Sequence, residues 1–293
     1  MPAPFVIDLC GYRDGRPSTS DKNDSLSIEL GQAFFDMLGV PQDKPAAQSV
    51  DKKWSAAMVE DLGRQLSDVA PHLVVRAERR LEEFEQYAHL KALKSLAEDT
   101  APEVSDALSR LEMELVPRQG AAPGIDLAEL AADLRAAMAA ADDRRRALID
   151  LLADESPLRL DVAVDRPDTA ARNTNSGVLP HLVAGFSLKW SLRTDRLQDP
   201  RTQGAKMASM RRGRMPHFAT VTMEPRPYML GRLGRGTGDL DCVYHLALPT
   251  LIDAVEAVYV GPARSKQRDM FMRMVEQRRL RDYDDLVAYV GTL

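Results

Sequence analysis

The sequence has few of the residues that build metal clusters or disulfide frameworks. It holds 2 cysteines and 5 histidines in 293 residues, and Cys10 and Cys242 lie far apart without CxxC or Cys/His spacing. This argues against a zinc site and against a disulfide-stabilised secreted domain. Long apolar runs are missing too: no stretch approaches the roughly 18 residues of a membrane helix, and no signal-peptide pattern begins the chain. We therefore expect a soluble cytoplasmic protein.

Basic residues are concentrated in one stretch, although the formal net charge is −5. From Lys189 to Arg214 the chain has eight basic and two acidic residues. A basic stretch on an otherwise acidic chain is typical of a protein that binds an anion at one place. A solvated helix surface is the simpler alternative.

The order of periodic segments predicts one mixed α/β domain over 1–293, with a central β-sheet flanked by helices. We expect an N-terminal arm at 1–24, a mainly helical part at 25–155, a sheet core at 156–258 and C-terminal helices at 259–293. The predicted helices are Ser25 to Leu38, Trp54 to Leu66, Ala77 to Leu96, Asp126 to Leu152, 201–212, 249–258, 265–280 and 282–290. The predicted strands are 158–165, 183–191, 217–223 and 241–248.

An acid interrupts one predicted strand and a lysine interrupts the next. Asp161 lies in "LRLDVAVD" (158–165), and strand alternation places Ser187 and Lys189 on one face of the following strand. Such a pair suits phosphodiester hydrolysis, because the carboxylate can bind Mg²⁺ while the ammonium orients the attacking water and helps to deprotonate it. A structural Asp–Lys ion pair is the alternative.

Three charged residues follow the lysine strand directly. Arg193, Asp195 and Arg196 end the stretch "FSLKWSLRTDR" (186–196). Arginine binds guanine O6 and N7 through a bidentate fork, and aspartate can accept from the N4 amino group of cytosine. The three residues therefore suit a G·C-rich DNA site, unless they form a self-satisfied surface network.

This stretch resembles the Ser-x-Lys-Trp-x-x-Arg-x-Asp-Arg signature of the NgoMIV family of type II restriction endonucleases, relatives of SgrAI in the PD-(D/E)xK nuclease superfamily. The similarity extends through "EQYAHLKAL" (85–93), "RRGRMPHFATVTMEPRP" (211–227) and "GTGDLDCVYHLAL" (236–248). It covers most of 54–96 and 156–258, whereas residues 97–155 and those after 258 resemble the family poorly or not at all.

The resemblance implies a restriction-endonuclease-like core and a Mg²⁺-dependent homodimer or homotetramer that cuts double-stranded DNA at a palindrome with a CCGG core. It also implies a cognate DNA methyltransferase in the same system and no membrane partner. Carried over by position, it implies the following roles: Asp161 and Glu60 as metal-site acids, Ser187 and Lys189 as the catalytic S-x-K pair, Arg193 and Arg196 on the guanines, and Asp195 on the cytosines.

The resemblance leaves two of the metal ligands undecided. The gap between Asp161 and Ser187 is shorter than the family leads us to expect, so Asp165 or the pair Asp142 and Asp143 are rivals. In addition, Gln203 stands where the family has a second acidic metal ligand. A glutamine supplies an oxygen without charge, so either one metal suffices, or Asp199 or Glu224 substitutes, or activity is reduced.

Two other functions fit the sequence. One is a less specific nuclease of the same superfamily whose arginines contact phosphates alone. The other is a catalytically silent DNA-binding protein, which Gln203 makes conceivable. In the leading interpretation one Asp–Lys centre cuts one strand, so cleavage of a palindrome requires at least a homodimer.

Overall fold

The computed structural model describes residues 1–91, 127–152, 158–167, 178–193, 197–235 and 238–293, and a few positions between 106 and 113. The chain divides into two compact units, one formed by 1–87 with 159–293 and one by 88–158. The second unit contains helix α4 (Leu127–Leu152). No helix in the described ranges has the length and apolar character that crossing a membrane requires.

The first unit is built on a six-stranded sheet in the order β3-β4-β5-β6-β7-β8. The strands are β3 (Val74–Arg80), β4 (Arg159–Arg166), β5 (His181–Lys189), β6 (His217–Thr222), β7 (Cys242–His245) and β8 (Leu280–Asp282). The pairs β3–β4 and β4–β5 are antiparallel, whereas β5 to β8 run parallel. The sheet is therefore mixed, as the sequence predicts.

Helices pack on both sides of this sheet. They are α1 (Val6–Leu9), α2 (Ser25–Leu38), α3 (Val50–Val69), α5 (Asp199–Met210), α6 (Pro227–Gly234), α7 (Leu248–Val258), α8 (Pro262–Glu276) and α9 (Tyr283–Val290). Two short 3₁₀ turns, Leu81–Glu83 and Glu85–Tyr87, follow β3. The middle strands β5 and β6 are buried along almost their whole length, which is typical of strands covered on both faces.

The helix predicted at Ser25 to Leu38 is confirmed with the same limits. Asp24 caps its start by accepting from the N–H groups of Leu26 and Ser27, and Gly39 ends it with a φ of 74°. That left-handed conformation carries no steric cost for glycine, so sequence signals alone define both ends.

One prediction of secondary structure was wrong, and two elements were missed. Residues 77–80 are the end of strand β3 and not the start of a helix, and the 3₁₀ turns follow. Helix α6 (Pro227–Gly234) and the three-residue strand β8 were not foreseen. The predicted helix residues 92–96 lie outside the described ranges.

The first 24 residues are not a free arm. They contain α1 and a hairpin of β1 (Tyr12–Arg13) with β2 (Arg16–Pro17). Val6, Leu9 and Cys10 are buried in the main hydrophobic core. Cys10 and Cys242 are both buried and free, in line with the expectation from their spacing.

Candidate active site

The parallel strands bring the predicted lysine to one edge of the sheet. Lys189 is the last residue of β5 and pairs with Thr222, the last residue of β6. The Thr222 hydroxyl donates to the Lys189 carbonyl oxygen at 2.7 Å, which fixes the two strand ends together. Because β4 runs antiparallel to β5, the first residues of β4 reach this same edge. Asp161 is among them.

Asp161 lies beside the end of β5. The last backbone pair of the β4–β5 ladder is Val162 with Phe186, and beyond it the Leu188 N–H donates to Asp161 Oδ2 at 2.6 Å. Burial raises the pKa of Asp161, while the hydrogen bond from Leu188 and the positive charge of Lys189 lower it. Acid and amine are thus neighbours on adjoining strands.

The two groups do not form an ion pair. Among the described side chains, no carboxylate lies within 4.0 Å of the Lys189 ammonium. Asp161 Oδ1 receives no hydrogen bond from the described residues, so one hard oxygen is available at the edge of the sheet. An unpaired carboxylate oxygen next to a half-buried ammonium is an arrangement that can hold a divalent ion and a water molecule.

The other acids near Asp161 were not foreseen. Asp51, in the first turn of α3, and Glu78, on β3, both raise the pKa of Asp161 by their negative charge. Glu78 faces Asp161 across the β3–β4 register but has a φ of 51° and is left out of the ladder. Its carboxylate pairs with Arg159 at 3.2 Å.

Glu60 is exposed on α3. It follows Asp51 by two and a half helical turns, so the two side chains point to opposite sides of the helix. Asp51 is the acid of α3 whose charge raises the pKa of Asp161. No motif in the sequence distinguishes Asp51, since it lies in a segment that reads as a loop before the helix.

Gln203 approaches the start of β4. Its side-chain N–H donates to the Arg159 carbonyl oxygen at 2.8 Å from helix α5. Asp199, in the first turn of the same helix, is exposed. Gln203 is thus placed near the strand that carries Asp161, with its amide nitrogen directed to the backbone.

The rival acids have other surroundings. Asp165 is fully buried and accepts from Arg76 Nε at 2.9 Å. It pairs with Leu182 near the start of β5, whereas Lys189 ends that strand. Asp142 and Asp143 belong to α4 in the second unit, where they pair with Arg145 at 3.5 Å and Arg146 at 4.0 Å.

The residues predicted to read DNA are described in part. Arg193 is exposed and follows the buried Leu192, whereas Asp195 and Arg196 lie outside the described residues. Ser187 is buried on β5 beside Thr220 of β6. Glu224, a possible substitute metal ligand, is fully buried and is hydrogen-bonded to Arg226 and to Leu192.

Within the described ranges, no group of three or more acidic, histidine or cysteine side chains is arranged to hold a metal ion. The Asp161 carboxylate suits Mg²⁺, which prefers oxygen ligands and commonly keeps several waters while using one or two carboxylates and substrate phosphates. Asp161 would therefore supply only part of a coordination shell, and the remaining oxygens would come from water and a phosphate group.

Comparison with known proteins identifies the family. The family profile described as "NgoMIV restriction enzyme" matches residues 127–290. The curated Type II restriction enzyme NgoMIV of Neisseria gonorrhoeae is 32% identical over 216 residues, which are 72% of this chain and 64% of the relative. The match runs from residue 127 to residue 290, so 127–155 and the C-terminal helices, which the sequence placed outside the resemblance, lie within it. The chain belongs to the NgoMIV restriction enzyme family.

Proposed function

We propose that the protein is a type II restriction endonuclease that hydrolyses both strands of DNA at a specific site. The observation that carries this proposal is the position of Asp161 and Lys189 on adjoining strands at one edge of the sheet, with the basic stretch directly after. Family membership supports the same reaction. The relative's name refers to a type II restriction enzyme, and the chain spans about 64% of that relative's length.

Each residue of the pair has its own part in the reaction. Asp161 Oδ1 would hold Mg²⁺, which when bound offsets the charge that builds on the phosphate and the leaving oxygen. The Lys189 ammonium orients the attacking water, and its positive charge stabilises the hydroxide that forms when this water passes its proton to the surrounding solvent. Ser187 lies two residues before Lys189 on the same face of β5 and supports the position of the strand end. Asp51 and Glu78, whose charges act on Asp161, are better placed than Glu60 to supply a further acid.

The segment after β5 supplies sequence recognition in this proposal. Arg193 and Arg196 bind the guanines of a CCGG core through O6 and N7, and Asp195 accepts from the cytosine amino groups. Arg193 is exposed, as a base-contacting side chain has to be.

The proposal includes an assembly and a cellular setting. One Asp161–Lys189 centre hydrolyses one strand, so a palindrome requires two chains related by a two-fold axis, in a homodimer or homotetramer. A cytoplasmic enzyme of this kind works with a cognate DNA methyltransferase that protects the same site.

Cleavage of a DNA of known sequence tests the function. Purified protein with Mg²⁺ is expected to cut at one palindrome with a CCGG core, and chelation of the metal is expected to stop the reaction. Fragments without a common sequence at their ends would favour the less specific nuclease. Binding without any cleavage would favour the catalytically silent DNA-binding protein.

Replacing the amine separates binding from chemistry. Lys189→Ala should lower the cleavage rate by about 100- to 10,000-fold, because the attacking water loses the positive charge that orients it and stabilises the hydroxide. Affinity for the same duplex, measured by fluorescence anisotropy without Mg²⁺, should stay within about threefold, since most of the binding energy comes from other contacts. Lys266→Ala, an exposed lysine on α8, is the matched loss of charge and should cut normally. Equal rates for both variants would contradict the role of Lys189.

A further inference from the structure

Glu224 and Arg226 form a buried ion pair just beyond the end of β6. The Glu224 side chain is 0% exposed and that of Arg226 is 5% exposed. Glu224 Oε1 accepts from Arg226 Nε at 2.7 Å and from the Arg226 backbone N–H at 3.0 Å. Both partners are thus removed from water and held in one geometry.

The pair encloses the backbone of a single residue. The Leu192 N–H donates to Glu224 Oε2 at 2.6 Å, and Arg226 Nη2 donates to the Leu192 carbonyl oxygen at 2.5 Å. The same Nη2 also donates to Glu224 Oε2 at 3.1 Å. The N–H and the C=O of Leu192 are therefore both bound by one ion pair, although they lie outside any strand.

Leu192 directly precedes Arg193, and the N-terminal region reaches the same place. Asp21 Oδ2 accepts from Arg226 Nη1 at 3.1 Å. The pKa of Asp21 is lowered by the Asn23 N–H and by the charges of Arg226 and Arg193, against the effect of burial. The Arg193 guanidinium therefore lies close enough to Asp21 for its charge to act there.

A buried ion pair is a poor device for stability, because apolar side chains of similar volume often stabilise a fold as well or better. Its value lies in geometry, since two directed hydrogen bonds, one to the N–H and one to the C=O of Leu192, set the position of a backbone segment that no strand holds. On the far side of the recognition residues, Leu197 is buried and provides the next anchor. Three residues, 194–196, separate Leu197 from Arg193.

We propose that Glu224 and Arg226 are positioning residues for DNA recognition, which fix Leu192 so that Arg193 and the residues after it meet the bases in register. This inference rests on the proposed function. It assigns Glu224 to the recognition segment and removes it as a substitute metal ligand, because both of its oxygens are already used.

Two variants test the proposal in the full-length protein. Glu224→Gln keeps the shape of the side chain but turns one acceptor into a donor. Arg226→Lys keeps the charge but replaces the planar guanidinium, whose Nε and Nη2 hold Glu224 and Leu192 from two fixed positions, by a single nitrogen. The probes are a duplex with the site mapped for the wild type, duplexes with single base-pair changes in that site, and an unrelated duplex.

Both variants should cut the cognate duplex about 100-fold more slowly, because a displacement of about 1 Å can cost that much. The preference for the cognate site over single-change sites should fall by about tenfold, as expected when one base contact is lost. Affinity for the unrelated duplex depends on phosphate contacts and should change less than about twofold. Asp21→Asn, which removes the outer and partly exposed end of the network, should show the same loss of preference in weaker form.

Asp61→Asn is the matched control for a disturbed buried carboxylate. Asp61 accepts from Tyr283 and Gln65 in the contact between α3 and α9. If Asp61→Asn lowers the melting temperature as much as Glu224→Gln and loses the same site preference, the positioning role is overturned. It is also overturned if folded Glu224→Gln and Arg226→Lys keep the wild-type preference. A wild type that cuts no site contradicts the proposed function itself.

Discussion

Asp161 and Glu224 are acidic residues at the same edge of the sheet, yet their surroundings differ. Glu224 is fully buried, and both of its oxygens accept hydrogen bonds from Arg226 and Leu192. Asp161 is half-buried, has one oxygen without a hydrogen bond from the described residues, and has a lysine nearby that does not pair with it. The Glu224 carboxylate is fully used in contacts within the protein, whereas the Asp161 carboxylate has an oxygen left for a ligand.

The difference gives a physical criterion for the two roles. A carboxylate whose positive partner belongs to the protein is satisfied by folding and contributes geometry. Burial makes the charged form of a carboxylate unfavourable when the protein supplies no positive partner. A bound cation can then be that partner. Asp165 lies between the two, because its Oδ2 accepts from Arg76 whereas its Oδ1 is buried without a hydrogen-bond partner among the described residues.

The largest expected effect comes from removing the free carboxylate. Asp161→Asn should lower the Mg²⁺-dependent cleavage rate by at least about 1,000-fold, because the metal loses its protein ligand. Asp165→Asn, on the same strand, should retain cleavage. Single-turnover cleavage of the mapped duplex measures both rates. The reverse result would exchange the roles of the two residues.

The loss of stability should follow the opposite order, with the larger loss at Glu224 and the smaller one at Asp161. Glu224→Leu should lower the free energy of unfolding by about 3–5 kcal/mol, because Arg226 is left buried without its main partner. Asp161→Asn should change it by about 0.5 kcal/mol or less, or raise it. Urea unfolding followed by the fluorescence of Trp54 and Trp190 provides the measurement. Equal losses of unfolding free energy for both variants would contradict the different roles of Glu224 and Asp161.

The pH dependence sharpens the stability prediction for Asp161. Its pKa is raised by burial, so its contribution favours folding below the unfolded pKa and is lost as pH rises through the folded pKa. As the pH rises over that range, the free energy of unfolding of the Asp161→Asn variant should therefore increase relative to that of the wild type.

The smallest expected effect concerns Gln203, which stands where the family resemblance places a second acidic metal ligand. Gln203→Glu adds a charge near the start of β4 and should lower the Mg²⁺ concentration for half-maximal cleavage by about tenfold, because affinity follows the number of charged ligands. Gln203→Met, which removes the oxygen and keeps the size, serves as the control. An unchanged Mg²⁺ dependence would place Gln203 outside the reach of the metal.

Local signals predicted part of this fold accurately. Helix α2 has a capping aspartate and a terminal glycine, so both ends were correct. Helix α6 was missed because Pro227 reads as a break, although proline at the first helical position is favourable. Residues 77–80 were assigned to a helix because the apolar spacing continues through Leu81 and Phe84, whereas pairing with β4 makes them an edge strand.

The sequence by itself predicted the chemistry that we propose: an acid and a lysine in neighbouring strands, followed by Arg193 within a family signature. Alternation along a strand and caps on a helix act over a few residues, so they can be read from the chain. The tertiary structure alone decided that Asp51 and Glu78 lie near Asp161 and that Glu224 is bound to Arg226 and Leu192. These contacts join residues far apart in sequence, and only the sheet register and the packing of α3 bring them together.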